Sequence, residues 1–109
     1  MKKVGYIYIM ANSRPTLYAG VTSDLVKRVY QHKNNLVEGF TSKYSLHKLV
    51  YYEILDTIEQ AIIREKQIKD MNRLDKLEMI REFNSEFKDL YNVILGRNED
   101  TTPESEVLA

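Results

Sequence analysis

Hydrophobic and polar residues alternate at the start of the chain, in the pattern of β-strands with one face buried. Successive side chains of a strand point to opposite faces, so Ile7 and Ile9 share one face while Tyr6 and Tyr8 share the other. The alternation predicts a β-hairpin over Val4–Val21. One face of this hairpin is aliphatic, and the other is rich in phenol groups.

The second strand of the hairpin repeats the alternation. Leu17 and Ala19 share a face, and Tyr18 lies on the opposite one. If the strands pair across a turn at Asn12–Pro15, the aliphatic residues of both strands share one face. Tyr18 then lies near Tyr8 on the other face.

A helix, a loop and a third strand are predicted after the hairpin. Thr22 and Ser23 carry side-chain oxygens suited to cap a helix over Asp24–Asn34. The segment Val37–His47 is predicted to be a loop with exposed aromatic residues. The β-branched and aromatic run Lys48–Leu55 is predicted to be the third strand.

Two further helices are predicted in the second half of the chain. Thr57 and Gln60 form a capping box that opens a helix ending near Met71. Another helix begins near Asn72, and its apolar residues recur at helical spacing: Leu74, Leu77, Ile80 and Phe83.

Length and composition restrict the class of protein. A chain of 109 residues has the length of a single domain, and the absence of cysteine excludes disulfides and thiolate metal sites. No apolar run approaches the roughly 20 residues of a membrane helix, and the N-terminus lacks the apolar core of a signal peptide. We expect one cytoplasmic domain over residues 1–95, without membrane contact, and an acidic disordered tail over residues 96–109.

The formal net charge of zero conceals an uneven distribution of charge. Residues 1–52 hold eight Lys or Arg and two Asp or Glu, a net charge of +6, whereas residues 53–97 carry −2 and residues 98–109 carry −4. Basic groups interleaved with tyrosines suit the phosphates and stacked bases of a nucleic acid. On charge alone, a solvated lysine-rich surface is the simpler interpretation.

Glu65 is a charged residue at a position where helical periodicity predicts an apolar one. Projection at about 100° per residue places it in the middle of an apolar stripe formed by Ile58, Ala61, Ile62 and Ile68. A buried carboxylate is costly unless a cation or hydrogen-bond donors compensate it. One interpretation is an ion pair with Arg28; the other is a divalent metal such as Mg²⁺, which one or two carboxylates hold together with water and substrate phosphate. Helix geometry leaves both open.

Four further side chains are candidates for the same site: Tyr8, Tyr18, Arg28 and His32. Each also has a purely structural interpretation, since strand tyrosines and helix histidines usually pack and arginines usually form ion pairs. If these side chains converge with Glu65, the site combines a metal ion held by Glu65, a guanidinium and a group that handles a proton. That combination serves phosphoryl transfer.

The order of these residues resembles the GIY-YIG nuclease superfamily. The matching residues of the hairpin and first helix are Tyr6–Tyr8, Tyr18–Gly20, Val21, Thr22, Asp24, Leu25, Arg28 and His32. The later matching residues are Ala61, Arg64, Glu65, Lys66, Ile68 and Lys69, followed by Asn84 and Asp89–Tyr91. The resemblance covers about residues 5–91 and is strongest to the small stand-alone bacterial members.

The resemblance implies an α+β fold, a three-stranded antiparallel sheet flanked by helices, and metal-dependent hydrolysis of DNA phosphodiester bonds. Tyr8 would help to activate water, Tyr18 would line the site and Arg28 would stabilise the phosphate. Glu65 would be the sole protein ligand of Mg²⁺ or Mn²⁺. His32 matches a position that is histidine in some branches and tyrosine in others.

The resemblance also suggests how nucleic acid is bound. Asn84 matches an asparagine that supports the site or contacts nucleic acid, and the DNA is expected to be structured or damaged. Weaker candidates for contacts to the nucleic-acid backbone are Lys43, Lys48, Lys66 and Lys69. The chain departs from the family pattern at Tyr6, which replaces a glycine, at Ala19, which replaces an isoleucine, and at Ser85, which replaces a proline.

Two alternative functions remain at this point. One is a nucleic-acid-binding module with weak or no catalysis. The other is a structural or protein-interaction domain in which Glu65 and Arg28 form an ion pair.

Overall fold

Three antiparallel strands form a sheet in the order β2-β1-β3 in the computed structural model, which describes residues 4–96. The strands are β1 (Gly5–Ala11), β2 (Leu17–Thr22) and β3 (Lys48–Leu55). The helices are α1 (Leu25–Lys33), α2 (Phe40–Lys43), α3 (Ile58–Asp70), α4 (Arg73–Phe83) and α5 (Tyr91–Ile94). The predicted α+β fold with an antiparallel sheet and flanking helices is confirmed.

Some sequence-based expectations lie outside the described residues. They concern the N-terminal residues 1–3 and nearly all of the acidic tail, residues 97–109. Within residues 4–96, no helix combines the length and the apolar character needed to cross a membrane.

The register of the hairpin decides which tyrosines meet. Tyr8 lies opposite Gly20, and Tyr18 lies opposite Met10. The two tyrosines are therefore diagonal neighbours on one face rather than a directly opposed pair. The turn is organised by Asn12, whose side-chain oxygen accepts two backbone N–H bonds within it.

The two faces of the sheet pack against different helices. On one face, Ile7 and Ile9 form a core with Ala61 and Ile68 of α3 and with Ile80 of α4. On the other face, the buried residues are Tyr8, Met10, Leu25, Val29, Leu46 and Leu49. The predicted division of the hairpin into an aliphatic face and a phenol face is confirmed.

The predicted cap of α3 is present, and α4 is capped in the same way at its predicted start. The hydroxyl of Thr57 accepts a hydrogen bond from the backbone N–H of Gln60 at 3.1 Å, and the side chain of Asn72 accepts one from Asp75 at 2.8 Å. The side chain of Gln60 accepts a bond from the backbone N–H of Asp56, one residue before the position that a capping box specifies. Both helices begin where the sequence predicted.

The start of α1 and the structure of the following segment were predicted wrongly. Asp24 caps α1 by accepting a bond from the backbone N–H of Lys27 at 3.1 Å. Thr22 cannot act as the cap because its hydroxyl bonds the backbone of Asp24 in the preceding turn. The segment 37–47 was predicted to be a loop but contains α2.

The apolar residues of α4 are less buried than their spacing predicted. Ile80 is fully buried, but Leu74 is 65% exposed and Phe83 is 50% exposed. The ring of Phe83 contacts the edges of Tyr51 and Tyr52 at centroid distances of 5.0 and 5.4 Å. The helix therefore covers the middle of β3 with an aromatic contact rather than burying a full stripe.

A polar network that the sequence analysis missed joins β3 to α3. Arg64 donates to both carboxylate oxygens of Glu53 at 2.9 to 3.0 Å, and the hydroxyl of Tyr51 also donates to Glu53. Burial by itself raises the pKa of Glu53, but the hydrogen bonds from Arg64 and Tyr51 lower that pKa on balance. This network holds α3 in register on the sheet.

Candidate active site

The phenol of Tyr8 lies over the backbone of Gly20 on the edge strand β2. A Cβ atom at position 20 would lie 2.5 Å from Tyr8 Oη and 2.6 Å from Tyr8 Cζ. Such distances are shorter than van der Waals contact, so glycine at this position is what allows the phenol to lie over the edge strand. Gly20 belongs to a motif of the sequence, but its role could not be predicted because that role depends on the strand register.

A chain of hydrogen bonds passes through the hydroxyl of Tyr8 into the protein. Arg28 Nε donates to Tyr8 Oη at a long distance of 3.4 Å, and Tyr8 Oη is 2.9 Å from His32 Nε2. His32 Nδ1 is in turn 2.8 Å from Thr41 Oγ1. His32 and Thr41 are buried, with 1% and 2% of their surfaces exposed. Both therefore lie behind Tyr8 and support it.

Burial keeps both ring systems neutral at physiological pH. Burial raises the pKa of Tyr8 to about 12, against the hydrogen bond from Arg28, which lowers it. Burial, with a contribution from the positive charge of Arg28, lowers the pKa of His32 to about 4. A neutral imidazole has one N–H, so Tyr8 and Thr41 take opposite roles, one as donor and the other as acceptor.

Tyr18 forms the half-buried wall of the site. Its ring centroid is 6.4 Å from that of Tyr8 and 5.7 Å from that of His32. On its other side it stacks on Phe40 of α2, with a centroid distance of 6.3 Å and an angle of 28° between the rings. The structure thus brings together four of the predicted site residues: Tyr8, Tyr18, Arg28 and His32.

Glu65 lies on α3 between the buried residues Ala61 and Ile68, and 19% of its side chain is exposed. Its charge contributes to the raised pKa of Tyr8, so it lies within electrostatic range of the phenol. Its ion pair is with Lys69, one turn along the same helix, at 3.2 Å. Ile62 was predicted to belong to the apolar stripe of this helix, but it is 42% exposed.

The ion pair between Glu65 and Arg28, which was one interpretation of the sequence, is not formed within residues 4–96. Arg28 instead donates to Tyr8 and to the side chain of Gln31. The guanidinium is therefore directed at the phenol rather than at the carboxylate. Among the residues that the structure describes, the counter-ion of the Glu65 carboxylate is the half-exposed Lys69.

The donor set at Glu65 fits a weakly held hard cation. In the part of the chain that the structure describes, no group of three or more His, Cys, Asp or Glu residues surrounds a metal position. A single carboxylate suits Mg²⁺ or Mn²⁺, which accept oxygen ligands and complete their coordination with water and substrate phosphate. It does not suit a structural zinc ion, which requires about four protein ligands.

The lysines predicted to contact nucleic acid lie on three different elements. Lys43 on α2 and Lys69 on α3 lie on the elements that carry Phe40 and Glu65. Lys66 is exposed on α3, and Lys48 lies on β3 at the opposite edge of the sheet from β2.

Asn84 has a structural role. Its amide nitrogen donates to the carbonyl oxygens of Val50 at 3.1 Å and Lys88 at 2.8 Å, and its oxygen accepts from the backbone N–H of Lys88 at 3.0 Å. Both amide hydrogens are used within the fold and the residue is buried, so Asn84 supports the fold, and its contact with nucleic acid stays a prediction. Asp89 similarly accepts from the backbone N–H of Leu49, at 3.1 Å. Together they fix the chain after α4 against β3.

Comparison with known proteins identifies the family. The sequence model described as the GIY-YIG catalytic domain matches residues 4–78, a range that contains Tyr8, Tyr18, Arg28, His32 and Glu65. The UPF0213 protein SSP2268 of Staphylococcus saprophyticus is 38% identical over 77 residues, which cover 71% of this chain and 94% of that protein.

Two further relatives are also UPF0213 proteins. A UPF0213 protein of Syntrophus aciditrophicus is 36% identical over 78 residues, covering 71% of this chain and 90% of the relative. The UPF0213 protein HQ_3675A of Haloquadratum walsbyi is 33% identical over 82 residues, covering 75% and 92%. No solved structure matches the chain significantly. On the strength of these sequence matches, the chain belongs to the GIY-YIG catalytic domain family.

Proposed function

We propose that this protein is a nuclease that hydrolyses DNA phosphodiester bonds with the help of a divalent metal ion. The observation that carries the proposal is the placement of one phenol, Tyr8, between a guanidinium and a buried imidazole, within electrostatic range of the carboxylate of Glu65. Membership of the GIY-YIG family supports the same chemistry.

Tyr8 handles the proton of the attacking water in this proposal. Because the pKa of Tyr8 is raised to about 12, the phenolate is scarcely populated near pH 7. The neutral phenol instead accepts a proton from water while it passes its own proton to His32 Nε2, which lies 2.9 Å away. This transfer uses the tautomer in which His32 Nδ1–H donates to Thr41. Tyr8 is a neutral phenol again after this transfer, so His32 returns its proton to Tyr8 only as Tyr8 passes one to a water molecule, and the low pKa of His32 favours that release.

Arg28 and Glu65 act on the phosphate. The remaining N–H groups of the Arg28 guanidinium are donors for the phosphate oxygens as their negative charge develops. A divalent cation held by Glu65 would supply further neutralisation of that charge. The nonbridging oxygens are thus stabilised from two elements, α1 and α3.

The experiment that tests the proposal compares two charge-neutralised variants of α3. Glu65→Gln removes the metal ligand, and Glu59→Gln makes the same chemical change at an exposed position of the same helix. Cleavage of supercoiled plasmid and labelled oligonucleotides is followed with Mg²⁺, with Mn²⁺ and with EDTA. We expect Glu65→Gln to lose roughly 10²-fold or more in rate and Glu59→Gln to retain the wild-type rate. Cleavage that persists in EDTA or in Glu65→Gln would refute the proposal.

One observation favours a second candidate function, a nucleic-acid-binding module with weak or no catalysis. Tyr8 is only 1% exposed, which restricts the approach of a reacting water to its hydroxyl. Retention of DNA in EDTA, combined with no cleavage in either metal, is the result that this second function predicts. Because phosphate contacts release counter-ions, that retention would weaken steeply as salt is raised.

A further inference from the structure

A groove follows the outer edge of β2 from the candidate active site to the turn of the hairpin. It consists of two clefts of about 330 and 470 Å³ that share Leu17 and Lys76 among their lining residues. We call this continuous surface the edge groove. From the active site to the turn, its aromatic and basic lining residues are Tyr18, Phe40, Lys69, Lys76, Arg73 and Arg14.

The edge groove concentrates positive charge in a chain whose formal net charge is zero. Among the described residues, no carboxylate lines either cleft. Within residues 4–96, Arg14, Arg73 and Lys76 form no ion pair. Arg73 also donates to the carbonyl oxygen of Pro15, which fixes the start of α4 against the hairpin turn. The cations are therefore brought together by the tertiary fold.

Aromatic rings occupy the end of the groove nearest the active site. Phe40 stacks on Tyr18 and lies 4.7 Å from the ring of Tyr44. Phe40 is 45% exposed and Tyr44 is 38% exposed, although both are large aromatic side chains. Exposed aromatic faces beside a row of cations match a ligand with flat bases on a polyanionic backbone.

We propose that the edge groove binds the nucleic-acid strand on one side of the bond that is cut. A base stacks on the aromatic rings beside Tyr18, and the phosphates that follow contact Lys76, Arg73 and Arg14 towards the hairpin turn. This inference rests on the proposed nuclease function for the position of the cut bond. The contact surface itself requires no metal and no catalysis.

The first test removes charge in matched pairs. Arg73→Gln with Lys76→Gln neutralises one arginine and one lysine in the groove, and Lys27→Gln with Arg81→Gln neutralises the same types at exposed positions that line neither cleft. Binding of a fluorescent oligonucleotide is measured in EDTA over a series of salt concentrations. In the groove variant, we expect the slope of log K against log salt to become shallower by roughly 0.7 to 0.9 for each cation removed. The control variant should keep the wild-type slope.

The second test addresses the aromatic end. Phe40→Leu keeps an apolar side chain but removes the aromatic face, and an oligonucleotide with one abasic position lacks the base that would stack there. We expect Phe40→Leu to bind the intact oligonucleotide about tenfold more weakly than the wild type does. The abasic site is then placed at each position of the strand in turn. At one position, the wild type and Phe40→Leu should bind the oligonucleotide with equal affinity.

Several outcomes would overturn the inference. One is a groove variant whose affinity and salt slope equal those of the control variant. Another is a groove variant that binds DNA normally but self-associates in analytical ultracentrifugation, because the cations would then serve to protect an exposed edge strand.

Two further outcomes separate the groove from the nuclease proposal. If the groove variant loses binding while the wild type cuts no DNA, the inference about the groove holds and the nuclease proposal fails. If cleavage depends on Glu65 but not on the groove, the nuclease stands and the groove fails.

Discussion

Ile7 and Tyr8 are adjacent on β1 and belong to regions held together in different ways. The Ile7 side packs aliphatic groups of the sheet against α3 and α4, and burial of apolar surface is the main contribution to its stability. The Tyr8 side buries a phenol, an imidazole and a hydroxyl, and these polar groups are satisfied by one another. The first region is therefore tolerant of hydrophobic exchange, whereas each polar group of the second depends on its partner.

The largest effect on stability is expected on the aliphatic side. Ile7 is completely buried, so Ile7→Ala removes apolar contacts and leaves a cavity. We expect a loss of about 2 to 5 kcal/mol in the free energy of unfolding. Urea denaturation followed by circular dichroism measures it. Ile7→Val should cost much less, and an equal cost for the two variants would contradict the packing explanation.

The next largest effect is a pH dependence that comes from the phenol side. The pKa of His32 is about 4 in the folded protein and near 6.5 in the unfolded chain, so the unfolded chain binds more protons between these values. Stability should therefore be full above pH 6.5 and should fall as the pH is lowered towards 4, by up to about 3 kcal/mol.

The measurement is the unfolding free energy of the wild type and of His32→Gln between pH 4 and 7. The variant has no group at position 32 that titrates in this range, so its stability should change less over the same interval. Because the pKa of Glu53 is lowered, stability that depends on the Glu53 carboxylate is lost at the acidic end of the range in both proteins. Identical pH profiles would show that His32 is not held neutral by the fold.

The substitution Gly20→Ala is expected to have a smaller effect. Gly20 on β2 lies against the phenol of Tyr8 on β1, so this position joins the two strands. The added methyl group would displace Tyr8 from His32, and we expect a cost of about 1 to 3 kcal/mol. In a Tyr8→Ala background the clash is absent, so the same substitution should cost little. Thermal or urea unfolding of the wild type, the two single variants and the double variant gives the coupling energy between positions 8 and 20. Simple additivity would contradict the close contact between Gly20 and Tyr8.

The aliphatic region and the starts of α3 and α4 could be predicted because their causes are local. A strand repeats every two residues, so the separation of Ile7 from Tyr8 follows from the sequence alone. The caps of α3 and α4 follow from Thr57 and Asn72, each placed just before an apolar period. The cap of α1 was missed because Thr22 and Asp24 compete for the same position, and the turn geometry decides between them.

The site was only partly predictable because its contacts are distant in the sequence. Thr41 supports His32 from α2, a helix of four residues that is too short to show periodicity. Asn84 was matched to the last motif of the family, but its burial depends on the packing of the turn against β3. The edge groove joins the hairpin turn to α4, and only the tertiary fold brings Arg14 near Arg73.

The most direct test of the central claim is the rate of DNA cleavage by Tyr8→Phe with Mg²⁺, measured beside its unfolding free energy. This variant keeps the aromatic ring over Gly20 and removes only the hydroxyl that joins Arg28 to His32. If Tyr8 handles the proton of the attacking water, the rate should fall roughly 10² to 10⁴-fold while the protein remains folded. A folded Tyr8→Phe variant that cleaves DNA within a few-fold of the wild-type rate would contradict the assignment.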